Sequence, residues 1–533
     1  MKSTVLEGLS APAIEYIGSL ENKVGLLEKR IDQLTELLLS ANKARFDPSS
    51  EKVKYLLSDE YTQGSFFNEA EAYADENIPE TVTIEKHERK KKRTKEELAE
   101  NLPVKEVIID IPEDERFCGI CNGGLHTIGK ELVRVELNII PAKAYLEKLY
   151  RLNYSCGDCM DETEEANIIK PDVPEPVVKR GLASPSSVAY VMYQKFVNAL
   201  PLYRQSKDWG MFGVEISRVT LANWIIYTSN RWLLPLWNAL KSLLLLSSVI
   251  LGDETTFQVL KEPGKTPQSK SQMWVYCTGK WSNAPPIVLF EYQPTRAGAH
   301  PEAFLKDAEN FFLLTDGYSG YGSVSNATLC NCWQHMRRYF TEAMPKNAPK
   351  DNPARIGMEY CQKLFVLERG FEEMSPEQRF ENRIEKSKPV VDAFFLWVES
   401  VNPLAGSKFG KAITYAINQR KGLSMFLTDG RIELSTNRIE NLIRPVTLGR
   451  KNYLFADTVR GARSSAIAYS IIQTAIMNGL NPYQYLLYLF TELPTVLKKD
   501  PDADLSKFFP WSDDVQAKCK YAVGTEGQLS LTQ

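Results

Sequence analysis

At 533 residues the chain exceeds one ordinary domain, and three or four are expected. Hydrophobic residues make up 43%, enough for at least one sizeable core, while the net charge of −3 excludes a protein that holds nucleic acid through overall basicity. Any phosphate contact has to come from local patches.

Taken in chain order, residues 1–46 carry Ile17, Leu20, Val24, Leu27, Ile31, Leu34 and Leu38 at alternating spacings of three and four, with charged residues between them. That is a short coiled-coil seam, which favours self-association over an amphipathic helix packed on its own domain. Residues 47–100 are polar and charge-blocked and read as a flexible linker; its basic end, 86–95, holds seven Lys or Arg in ten positions, with Lys90, Lys91, Lys92 and Arg93 at its centre. Such a run is either solvated or a source of phosphate contacts.

Within 101–175, Cys118, Cys121, Cys156 and Cys159 form two CxxC pairs. Two such turns supply four thiolates, which close a tetrahedral zinc shell with no open position, so the zinc is structural. The alternating stretches 133–140 and 145–154 predict two strands between the pairs and therefore a zinc ribbon. The remaining cysteines are scattered, which points to a reducing compartment rather than a disulfide framework. The N-terminus does not read as a secretory leader, and a cytoplasmic location is expected.

Residues 176–246 turn helical. One helix is predicted over 186–199, and 213–224 resembles the turn and second helix of a helix-turn-helix, with Gly213 in the turn and Ser217 as cap. DNA contact and plain packing of a helical subdomain both remain open for this segment. The apolar stretch 232–251 is about long enough to span a membrane, but Pro235, Asn238 and Lys241 interrupt it. It reads as a core helix leading into a strand, and no membrane association is expected.

Strands follow at 248–260, 272–279, 286–293 and 311–315. The first three suit an antiparallel meander, and a helical stretch at 301–310 lets the fourth return parallel. Asp253 lies on the first strand and Asp316 just past the fourth, so adjacent strands would set them side by side. Glu440 lies on a segment, 437–441, that reads as a helix. Converging carboxylates repel one another unless cations separate them, and two magnesium ions are the usual answer in phosphodiester chemistry. Histidine is scarce, four in all, which speaks against a histidine-based mechanism.

The phrases 252–260 (GDETTFQVL), 272–276 (QMWVY), 315–321 (TDGYSGY), 332–338 (CWQHMRR) and 437–445 (NRIENLIRP) resemble, in order, the core motifs of the IS66 type of bacterial insertion-sequence transposase. The similarity extends to 200–205, 448–455, the N-terminal helix followed by 45–51, the four-cysteine segment and 508–511. The resemblance implies a multidomain α/β protein with a ribonuclease-H-like DDE core over 247–457, a helical insertion at about 340–428, and a C-terminal helical region and tail over 458–533. It implies Asp253, Asp316 and Glu440 as the catalytic triad holding two Mg2+ or Mn2+ ions. His335 either lines that site or is a buried structural histidine. Arg337, Arg338, Arg444, Arg450 and Lys451 join Lys90 to Arg93 as candidate DNA contacts.

Family likeness further implies binding to terminal inverted repeats and target DNA, metal-dependent strand cleavage and transfer, at least a homodimer, and small accessory proteins of the same element. One departure stands out: relatives typically carry Asp-Asn-Asn before the catalytic Glu, and this chain has Ser435, Thr436 and Asn437. Ser435 is expected to cap the Glu440 helix. The missing acid keeps a second reading open, a DNA-binding regulator with weakened catalysis.

Overall fold

The computed structural model describes Lys23 and residues 144–155, 168–169, 172–211, 213–345 and 352–521. The four cysteines expected to hold zinc, the basic run and the seven residues of the expected coiled-coil seam lie outside them. The chain divides into two compact units, 1–126 with 404–407, and 127–403 with 408–533. Asp253, Asp316 and Glu440 all belong to the second unit.

A two-stranded ladder comes first in that unit: β1 (Tyr154–Ser155) pairs antiparallel with β2 (Ile168–Ile169). This corrects the strand expected over 145–154. Residues 145–153 are not in a strand, and Tyr145, Leu146, Leu149, Tyr150 and Leu152 are exposed. Alternation alone does not make a strand, and among the described residues 145–153 have no ladder partner.

Helix α1 (Pro185–Phe196) begins at a capping box in which Ser184 and Ser187 bond reciprocally, with proline in its first turn. It ends earlier than the sequence pattern predicts because Ala199, ahead of Pro201, takes a φ of 53°. Helix α2 (Leu202–Met211) is followed by Gly213 at φ 80° and by α3 (Arg218–Thr228), whose cap is Ser217, accepting from the Thr220 N–H at 3.1 Å. After one wide turn, α4 (Leu234–Leu244) buries Leu236, Leu240 and Leu244, one stripe at four-residue spacing. The 232–251 stretch is thus a core helix feeding a strand, and no helix among the described residues is long and apolar enough to cross a membrane.

The main sheet comprises β3 (Val249–Lys261), β4 (Lys270–Thr278), β5 (Val288–Gln293), β6 (Phe311–Thr315), β7 (Ala327–Asn331) and β8 (Ala456–Thr458). Its order is β5-β4-β3-β6-β7, with β8 joining the far end of β3. The first three strands form an antiparallel meander, and β6 returns parallel to β3 after α5 (Ala299–Leu305), as the sequence predicts.

Between β7 and the helix bearing Glu440 stands a helical block: α6 (Trp333–Ala343), α7 (Pro353–Gly370), α8 (Pro376–Asn382), α9 (Lys388–Ser400), α10 (Lys408–Asn418) and α11 (Arg420–Ser424). Trp333, Phe340, Phe394 and Phe426 pack edge to face in its core. The fully buried Arg383 forks onto Glu368 and donates to the carbonyls of Phe426, Asp429 and Ile432 at 2.8–2.9 Å, tying the block to the segment that enters the next helix. That helix is α12 (Asn437–Tyr453), and α13 (Val459–Met477), α14 (Pro482–Lys499) and α15 (Asp513–Cys519) follow it among the described residues. Helix α13 blunts the edge strand β5 chemically. The Val288 and Phe290 N–H groups donate to its Thr474 Oγ1 and Ser470 Oγ, four residues apart on one helix face.

Candidate carboxylate site

The pairing of β3 with β6 fixes the two aspartates. Val249 pairs with Phe312, Ile250 with Leu313 and Leu251 with Leu314, an offset of 63 residues (314 − 251). Asp253 and Asp316 differ by the same 63 (316 − 253) and therefore lie at one level, Asp253 within β3 and Asp316 just past the end of β6. Asp316 sits in a tight turn: its Oδ1 accepts from the Tyr318 N–H at 2.8 Å, and Gly317 takes φ 90°. The helical block braces this turn. Tyr415 on α10 donates to the Asp316 carbonyl at 2.7 Å, and Gln419 bonds both the Gly317 carbonyl, at 3.4 Å, and Asn331.

Helix α12 packs against β3, and the charge of its Glu440 is felt at Asp253. Burial holds the Asp253 carboxyl well above the usual carboxylate range; the like charges of Glu254, Asp316 and Glu440 push the same way, and only the Glu254 N–H, at 2.8 Å, opposes them. Glu440 instead lies beside Arg338 and His335. Its Oε2 lies 3.4 Å from Arg338 Nη2 and its Oε1 3.8 Å from His335 Nε2. Burial lowers the His335 pKa, Arg338 adds to the effect, and Glu440 and Asp316 oppose it. The Nδ1 of His335 is buried and has no hydrogen-bond partner among the described residues.

The start of α12 corrects one expectation. Its cap is Thr436, not Ser435, and makes no side-chain capping bond. With ψ near 9° Thr436 is not extended; its Oγ1 turns to Glu440 Oε1 at 3.4 Å, and its N–H donates to the buried Cys332 Sγ at 3.1 Å. Together with the Trp333 N–H on the Leu434 carbonyl (3.0 Å), this clamps the entry to α12 onto the start of α6.

Sequence reasoning missed Glu254, Arg296, Tyr321 and Tyr415. Gly252 and Glu254 share a face of β3. Tyr321 covers it so closely that a Cβ on Gly252 would meet its ring at 3.0 Å, and its hydroxyl donates to Glu254 Oε2 at 2.8 Å. Glu254 also takes the Arg296 Nε–H at 2.6 Å. The expected basic residues diverge. Arg338, Arg444 and Lys451 are exposed, whereas Arg450 donates to Thr256 Oγ1 at 2.6 Å on β3, and the Nε of Arg337 is buried with no partner among the described residues.

An all-oxygen set of this kind matches the donors that Mg2+ or Mn2+ prefers, and the mutual repulsion at Asp253 is what a divalent cation relieves. The donor chemistry fits, although among the described residues no three His, Cys, Asp or Glu side chains already stand as a metal-holding group.

The geometry defines a mixed α/β protein with a carboxylate site where two parallel strands meet a helix. The chain belongs to the IS66 transposase family: residues 180–464 match the family described as "Transposase IS66 family", 470–511 the "IS66 C-terminal element", and 115–160 the "zinc-finger binding domain of transposase IS66". It is similar to three proteins of Sinorhizobium fredii (strain NBRC 101917 / NGR234). "Uncharacterized protein y4qI" is 29% identical over 95% of this chain and 93% of its own length; "Uncharacterized protein y4jD" is 30% identical over 73% and 76%; "Uncharacterized protein y4hP" is 28% identical over 76% and 74%.

Proposed function

We propose that the chain is a DDE-type transposase that binds the terminal inverted repeats of an insertion sequence and cuts and joins DNA strands at Asp253, Asp316 and Glu440. The observation that carries this reading is the shared level of Asp253 on β3 and Asp316 just past β6, with the charge of Glu440 on α12 acting on Asp253. In this reading the strand order β5-β4-β3-β6-β7 is that of a ribonuclease-H-like core. The helical block between β7 and α12 is then the family's insertion.

Bound at these acids, two Mg2+ or Mn2+ ions supply activation of a water or 3′-hydroxyl and stabilisation of the leaving oxygen. The residues do the rest. Asp253 and Asp316 offer oxygens from fixed backbone, and Glu440 turns to them from its contacts with Arg338 and His335. The exposed Arg338 and Arg444 take up DNA phosphates, as does the basic run 90–93. Cys118, Cys121, Cys156 and Cys159 hold structural zinc in the domain that recognises DNA ends. The N-terminal heptads pair two chains, as bringing two ends together requires, and small proteins of the same element assist.

A second reading, a DNA-binding regulator with weakened catalysis, rests on Ser435 standing where the family resemblance implies an acid, next to Thr436, whose hydroxyl bonds Glu440. One experiment separates the two. Purified full chain is incubated with supercoiled plasmid bearing its own element ends and Mg2+ or Mn2+. Nicking by the wild type and none by Asp253→Ala supports the enzyme; end binding without nicking selects the regulator. Identical nicking by both proteins refutes the carboxylate assignment.

A further inference from the structure

The charges of Glu254, Asp316 and Glu440 all act on Asp253, and a DNA backbone approaching these four carboxylates meets its own sign of charge. A cation fixed beside them offsets the repulsion. Arg296, on the segment between β5 and α5, is placed for it. Its side chain is 47% exposed, whereas that of its partner Glu254 is 2% exposed, so the acid is the buried anchor and the guanidinium the outward face. Nε and Nη2 both bond Glu254 Oε1, and Nη2 lies 4.0 Å from Asp316 Oδ2.

Beneath the guanidinium lies the Tyr318 ring, 3.9 Å from the guanidinium carbon to the ring centroid, and the Tyr318 hydroxyl donates to the Arg296 carbonyl at 2.6 Å. Tyr318 rests edge-on against Tyr321, which in turn donates to Glu254. The backbone is pinned as well: a Cβ on Gly298 would collide with the Gly320 carbonyl and Ser323 Oγ, so this loop lies hard against the Asp316–Tyr321 turn. An exposed ion pair alone contributes little to stability. A guanidinium clamped by an acid on one edge and a ring below, with Nη1 lacking an acceptor among the described residues, is instead preorganised for an incoming phosphate.

We propose that Arg296 is a substrate-positioning residue that contacts one backbone phosphate of the DNA strand at the carboxylate site, with Glu254 and Tyr318 holding its guanidinium in place. The inference rests on the transposase reading above, and its test scores the arginine separately from cleavage. Full chain is titrated, in Ca2+ so that the strand stays uncut, with duplexes of its own element end that carry a single neutral methylphosphonate at successive positions around the cleavage point.

For the wild type, one position should weaken binding by about 10- to 100-fold, the scale of a hydrogen bond to a charged group. Arg296→Ala should bind the unmodified duplex as weakly as the wild type binds that modified one, and should lose nothing further there; Arg296→Lys should restore part of the difference. If Arg296→Ala shows the same methylphosphonate profile as the wild type, Arg296 merely neutralises Glu254 and the inference fails. Absence of nicking in Mg2+ or Mn2+ with this profile intact would overturn the enzymatic reading and leave the phosphate contact standing. No DNA binding by the wild type would overturn both.

Discussion

Gly317→Ala tests whether the helical block holds the acid site in shape. Gly317 follows Asp316 at φ 90°, a region that costs a residue with a Cβ about 1–2 kcal/mol. The added Cβ would stand 3.0 Å from Tyr415 Oη, 3.2 Å from Asn331 Nδ2 and 3.3 Å from Gln419 Cδ, so three side chains must give at once. Tyr415 Oη is the group that donates to the Asp316 carbonyl, and losing that bond adds about 1 kcal/mol, for a total of roughly 2–3 kcal/mol. Because the affected carbonyl belongs to Asp316, the proposed cleavage should fall more than folding does, by about tenfold or more. The control is Gly322→Ala in the neighbouring single-turn helix, where a Cβ meets nothing within 4 Å and φ is not positive. Urea unfolding followed by fluorescence of the buried Trp274 and Trp333, alongside nicking rates, reads both effects. If Gly317→Ala matches Gly322→Ala in midpoint and rate, the brace is not what holds Asp316.

Two further predictions concern sites away from the acids. Burial pushes the Glu291 carboxyl on β5 from the ordinary 4.5 to about 7, against the pull of Gln293, Lys241 and Arg463. The folded state therefore holds this proton more tightly than the unfolded chain. Its contribution to stability is full below pH 4.5 and is lost as pH rises through about 7. Glu291→Gln should be more stable than the wild type at pH 8 and should flatten the pH dependence of unfolding across that window; an unchanged slope would refute the assignment. In the zinc domain, Cys118→Ser should lower the zinc content measured by atomic emission from about one ion per chain to near none, while the circular dichroism of the sheet and helices persists. Full retention of zinc would show that these cysteines are not the ligands.

The parts of this protein that could be read from its sequence are those in which residue type and local spacing carry the physics. Buried strand runs ending in an acid located Asp253 and Asp316, and the periodic stripe of Leu236, Leu240 and Leu244 marked a core helix. What supports those acids was not legible. Arg296 reaches Glu254 across 42 positions, Tyr321 reaches it across 67, and Tyr415 reaches the Asp316 carbonyl across 99. A backbone carbonyl carries no residue signature, so nothing at Asp316 advertises that a tyrosine closes on it.

The cysteine of the Cys-x-x-His phrase shows the same limit. The sequence drew attention to His335 as the chemically versatile residue. The structure adds that Cys332 Sγ receives the Thr436 N–H from 104 positions away, and so holds the entry to the helix that carries Glu440. The failed cap at Ser435 follows from this contact. A chain pinned at Thr436 with ψ near 9° has no extended residue there to reach back as a conventional cap does, and the Thr436 hydroxyl turns to Glu440 instead. Chemistry selects which residue types a site needs, and local spacing reveals them. The tolerance with which they are held is set by long-range contacts to backbone atoms, which only the folded chain displays.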